Sequence, residues 1–156
     1  MKKILLWMLS FCLFSSMTAM ADNVITDTAA DKTASTTVST TVEAAYSVVI
    51  PASVPITYGA ISSDLLLSVT AFRLAPKQVI RVSASSGGTL KNSVDPTKII
   101  AYQIKQGNAV FQSTDFKGVG KQKLTVEITS AAWNTAAAGT YTDMVTFTVS
   151  TPVLEN

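Results

Sequence analysis

Two stretches near the end of the chain decide the fold class: Leu124-Thr125-Val126-Glu127-Ile128-Thr129 and Tyr141-Thr142-Asp143-Met144-Val145-Thr146-Phe147-Thr148-Val149. In the first, large apolar residues take one parity and polar residues the other. In the second, Tyr141, Val145, Phe147 and Val149 alternate with Thr142, Thr146 and Thr148. Successive side chains of a strand point to opposite faces, so each stretch reads as a β-strand with one dry face.

Working outward, the same period runs through Val38, Val42, Ala44, Tyr46, Val48 and Ile50, through Leu65, Leu67, Val69 and Ala71, through Ile80, Val82 and Ala84, and through Ile100, Tyr102 and Ile104. Pro51, Pro55, Gly59, Pro76-Lys77, Ser85-Ser86-Gly87-Gly88, Gly107-Asn108 and residues 118–121 punctuate these runs as turns or strand ends. Residues 109–112 read as a hairpin partner and 133–139 as a loop. No run of twelve or more residues has helical spacing, so the pattern predicts an all-β, antiparallel β-sandwich of about seven to nine strands. At roughly 3.3 Å per residue the run 38–50 would reach about 40 Å, well beyond a common strand of about five or six residues. It is either the first strand of its own sandwich, bending between sheets, or a strand that pairs in part outside its own domain.

Lys2 and Lys3, an apolar run over residues 4–14 and Ala19-Met20-Ala21 have the three parts of a secretory signal peptide. The apolar run is too short to span a membrane. The single cysteine, Cys12, lies inside it behind bulky Phe11, which argues against lipidation, and a mature chain from Asp22 has no disulfide. Loss of Lys2 and Lys3 leaves equal numbers of basic and acidic residues, so the mature surface has no long-range pull on nucleic acid or anionic membrane, and no second apolar run is long enough to span one. The expected organisation is signal peptide 1–21, flexible Thr/Ala/Asp-rich leader 22–37, β-sandwich domain 38–151 and short C-terminal tail 152–156.

Of 156 residues, 47% are hydrophobic and none is histidine. Without His or a mature Cys the chain makes neither a Ser-His-Asp triad nor a Cys-His pair, and offers no nitrogen or sulfur metal ligands. Ser85 and Ser86 near Lys91 read as turn chemistry rather than a dyad. Asp64 and Asp95 read as turn residues, Glu127 lies on the polar parity of its strand and Asp115 precedes a loop, which disfavours an acid/base pair. Asp143 shares parity with Tyr141 and Val145 and is expected to point inward and accept hydrogen bonds. Asp22, Asp27 and Asp31 lack the spacing of a calcium loop. The expectation is a protein that is no enzyme and uses no cofactor or metal. Candidate strand-pairing residues are Val38, Val42, Ala44, Tyr46 and Val48. Candidate glycan contacts are Trp133 and Tyr141, as stacking rings, with Lys117, Lys121 and Lys123 of a small basic hairpin.

The stretches at 44–54, 74–82 and 138–149 resemble secreted immunoglobulin-like domains of bacterial cell-surface proteins, a likeness that spans about residues 38–150. The ending, Gly139-Thr140-Tyr141 followed by alternating Thr and Val, is also similar to the closing strand of cysteine-free fimbrial, pilin-like subunits assembled by donor-strand exchange. That resemblance implies an immunoglobulin-like sandwich, export to the cell surface or extracellular space (through the periplasm where there is an outer membrane), and partners that are other copies or related surface subunits. The expected function is a structural or adhesive subunit that associates by β-strand pairing; the alternative is a monomeric carbohydrate- or cell-wall-binding module.

Overall fold

In the computed structural model the described residues are 25–28 and 32–155. The expected signal peptide, with Asp22 and Asp31 of the leader, lies outside them. The chain divides between Thr41 and Val42 into two units. The described residues of the first, including Val38 at 93% exposure, form a turn at Asp27 and Thr28 and otherwise no strand or helix.

In the second unit most of the period-two patterning becomes strand. The strands are β1 (Ala45–Val49), β2 (Ser62–Arg73), β3 (Ile80–Ser85), β4 (Thr89–Asn92), β5 (Ile99–Ala101), β6 (Gln103–Gln106), β7 (Ala109–Val110), β8 (Ser113–Phe116), β9 (Gly120–Glu127), β10 (Tyr141–Thr142) and β11 (Thr146–Ser150). All pairings are antiparallel, in sheets ordered β1-β2-β9-β6-β7, β10-β4-β5 and β11-β3-β8. The two short sheets follow one another along the chain, because β3 and β4 are halves of one run broken at Ser86-Gly87-Gly88, and β10 and β11 are halves of another broken at residues 143–145. This is an all-β arrangement of antiparallel sheets, consistent with a β-sandwich.

The alternating residues meet in one core. Leu67, Ile80, Val82 and Leu124 are fully buried, and Leu65, Val69, Ile100, Tyr102, Ile104, Val126 and Ile128 nearly so. Burying a side chain of this size contributes about 1.5–3 kcal/mol, so these positions carry much of the fold's stability.

Several sequence expectations shift. The strand expected over 38–50 begins only at Ala45, and Val42 and Ala44 precede it outside any strand. β1 pairs with β2 of its own chain, Tyr46 opposite Phe72 and Val48 opposite Val69, with a bulge at Ser47/Val48. Tyr46 and Val48 are therefore engaged within the chain's own sheet. Residues 130–134, partly assigned to a loop, form a helix, α1 (Ser130–Asn134), because Thr129 caps its N-terminus by accepting from Ala132 N. Asp64 sits in β2 rather than a turn, opposite Thr125 and bridged to Lys123 at 2.8 Å. The C-terminal tail is tied down: Val153 bridges Gln78, and Leu154 N donates to Lys77 O at 2.9 Å. No helix among the described residues is long and apolar enough to cross a membrane.

Candidate functional site: an open apolar groove

A groove opens between the segment that follows β1 and the stretch that leads into β11. β1 is the outer strand of the five-stranded sheet, and the chain leaves it through Pro51 and Pro55, which cannot donate to a ladder. β11 and β10 are outer strands of the short sheets. Val48, Ile50, Val54 and Ile56 on one side, and Tyr141, Val145, Phe147 and Val149 on the other, pack against the core yet remain half-buried. Of these, Ile50, Val54, Ile56, Tyr141, Val145 and Phe147 line space that is not covered.

The uncovered space consists of two adjoining cavities. One of about 330 Å³ runs between residues 50–54 and Val145 and Phe147, with Leu65, Leu90 and Val126 beneath. The other, about 860 Å³, continues past Leu90 and Ile100 to Tyr58, Trp133 and residues 136–142. Both share the 52–54 segment, Ile56, Leu90 and Asp143.

Asp143 sits where the cavities meet, exposed rather than turned into the core as its parity predicts, and it accepts bonds as expected. Oδ2 accepts from the Tyr102 hydroxyl at 2.7 Å and Oδ1 from Met144 N at 2.8 Å. Burial pushes the Tyr102 phenol up to about 12; the neighbouring carboxylate adds to the shift and a bond with Ser86 opposes it. The phenol is thus a fixed neutral donor that holds the carboxylate in place.

At the wide end, Trp133 is carried by α1 and half-buried. Its Nε1 donates to Ala60 O at 2.8 Å, and its ring meets Tyr58 edge-on with centroids 5.4 Å apart. Tyr141 donates its hydroxyl to Ala137 O at 3.0 Å. Both polar handles are occupied by the protein's own backbone, so what the rings present is apolar surface. Tyr58, 80% exposed, escaped the sequence reading; its only signal was an aromatic residue just before the Gly59 turn.

Two anchors shape the rim. Asn92, buried at 4% exposure, accepts on Oδ1 from Val94 N (2.9 Å) and Asp95 N (3.2 Å), and donates from Nδ2 to Ala138 O (3.4 Å). Gly139 approaches it so closely that a Cβ there would lie 2.3 Å from Nδ2. Asp95 bonds Thr97 through both N and Oγ1, which holds its carboxyl below the usual range.

The structure brings Trp133 and Tyr141 to one cavity but leaves the lysines elsewhere. β9 runs from Gly120 opposite Val69 to Glu127 opposite Ser62, and Trp133 bonds Ala60 beside the latter end. Lys117 and Lys121 lie around the other end, and Lys123 is engaged with Asp64. There Asp115 forms a two-pronged pair with Arg81, both contacts 2.7 Å, which holds its carboxyl below the usual range. Of the candidate strand-pairing residues, Val48 packs half-buried against the core, Tyr46 is half-exposed on β1, and Val38 and Val42 are exposed. Among the described residues no three of His, Cys, Asp and Glu gather closely enough to hold a metal ion. The chain matches no protein-family model and no curated protein.

Proposed function

We propose that this chain is an exported, non-catalytic surface subunit, structural or adhesive in role, whose immunoglobulin-like sandwich associates with other copies by accepting a β-strand into the groove beside β11. The observation that carries the reading is the coincidence of an outer strand with an uncovered apolar trough: β11 has a neighbour on one side only, and its inward residue Phe147, with Val145 just before the strand, borders empty space. An added strand would satisfy the free backbone groups of β11 and bury alternate side chains in the trough, the mode of recognition called β-augmentation. The supply is the alternating segment before β1, which lies in no strand and exposes Val38 and Val42. The resemblance to pilin-like subunits and the signal-peptide pattern support export.

The test is the native mass, by light scattering, of the chain from Asp22 beside one starting at Glu43, both of which retain β1. The longer chain is expected to form multimers and the shorter one to be monomeric; two well-folded monomers would refute strand donation. A second reading, glycan binding, is favoured by one observation: Tyr58, Trp133 and Tyr141 all border the 860 Å³ cavity. Under it, Trp133→Ala abolishes sugar binding and leaves the native mass unchanged.

A further inference from the structure

Resting on the strand-pairing reading above, we infer that the strand taken into the groove is the leader of a second copy, set in one register by an ion pair between Lys32 of the incoming copy and Asp143. Among the described residues, Asp143 is the one charged residue bordering the two cavities, and it borders both. Its carboxylate spends one acceptor site per oxygen on Tyr102 and Met144 and has further acceptor sites on each. Covering a carboxylate with an apolar strand is costly unless a cation arrives with that strand.

The leader brings a single candidate. Lys32 is the only basic residue between Asp22 and Ala44. Its parity is that of Ala30, Ala34 and Val38, small or apolar residues suited to the trough on either side of Asp143. Asp27, Asp31 and Glu43 fall on the opposite parity and would face out. A slip of one residue toward the N-terminus would set Asp31 against Asp143, like charge against like, so the pair both attracts the right register and penalises a wrong one. Lys32 is exposed, outside any strand, and donates to the carbonyls of Thr26, at 2.8 Å, and Asp27. These are contacts a donor strand gives up at no cost to the folded domain.

The experiment compares multimer formation, by light scattering at equal concentration, for the full chain, Lys32→Glu, Asp143→Lys and the double exchange. Each single reversal is expected to lower the association constant at least tenfold, and the double exchange to recover most of it. Lys32→Glu changes a residue outside every strand, so its loss is not attributable to misfolding. Asp143→Asn, which keeps an acceptor for Tyr102, is expected to lie between wild type and Asp143→Lys. Single reversals that assemble like wild type, or a double exchange that fails to recover, would overturn the ion pair while leaving strand donation standing. A wild-type chain that is monomeric would overturn both.

Discussion

Replacing Gly139 by alanine tests whether the rim of the groove is held as described. Gly139 has φ +145°, in a region that L side chains rarely adopt, and holding a non-glycine residue there costs about 1–3 kcal/mol. The new Cβ would also stand 2.3 Å from Asn92 Nδ2 and 3.1 Å from its Cγ, so the amide must move. Asn92 is buried, and moving it endangers the two bonds to Oδ1 that shape residues 93–95, each worth about 1 kcal/mol. The sum is about 3–5 kcal/mol, a large part of the stability of a domain this size. With a urea slope of about 1–3 kcal/mol per molar, the unfolding midpoint should fall by roughly 2 M. Gly87→Ala is the control: its Cβ would meet nothing nearer than 3.8 Å, so stability should stay within about 0.5 kcal/mol. In an Asn92→Ala background the clash is gone and Gly139→Ala should cost only its backbone share. A Gly139→Ala protein within 1 kcal/mol of wild type, or one that pays the full cost without Asn92, would refute the account.

Two further outcomes follow from the site. Tyr102→Phe should cost about 1–2 kcal/mol at neutral pH through loss of the bond to Asp143. The phenol, near 10 when unfolded and about 12 when folded, contributes stability that is whole below pH 10 and is lost as pH rises through 12. Discounted for solvent in the groove, this amounts to roughly 1 kcal/mol, so wild type should lose that much more than Tyr102→Phe between pH 10 and 12 in urea titrations. Trp133→Phe should lower stability by about 1–2 kcal/mol through its missing bond to Ala60 O, with the native mass unchanged by light scattering; a change in mass would place the ring in the interface.

What the sequence made legible is what strand geometry enforces. Leu65, Leu67 and Val69 and Leu124, Val126 and Ile128 lie on the dry parity and are buried, because alternation leaves one face for the core. Alternation is silent about neighbours. The period that marks Tyr46 and Val48 continues unchanged through Val42 and Val38, so nothing in it says that pairing with β2 starts at Ala45. α1 is too short for a helical period to register; its one signal was Thr129, a capping residue. The groove was invisible for a related reason. Each of its walls reads as an ordinary half-buried run, and only the topology puts the two opposite one another with no strand between.

How the chain treats its outer strands sharpens the reading of β11. A long flat edge is an invitation to aggregate, and folded proteins blunt such edges with shortness, bulges, prolines or charge. β1 carries a bulge at Ser47/Val48 and is followed by Pro51. β7 and β10 have two residues each and β5 three. β8 bears Asp115, paired with Arg81. β11, Thr-Phe-Thr-Val-Ser, is five residues long, with no bulge in its register with β3 and no charge, and Pro152 follows it as Pro51 follows β1. Its outward face is Thr and Ser, polar but uncharged, and its inward face borders the trough. Among the outer strands of the described residues β11 is thus the longest without a bulge or a charge, and the open cavity lies against Phe147 on its inward face.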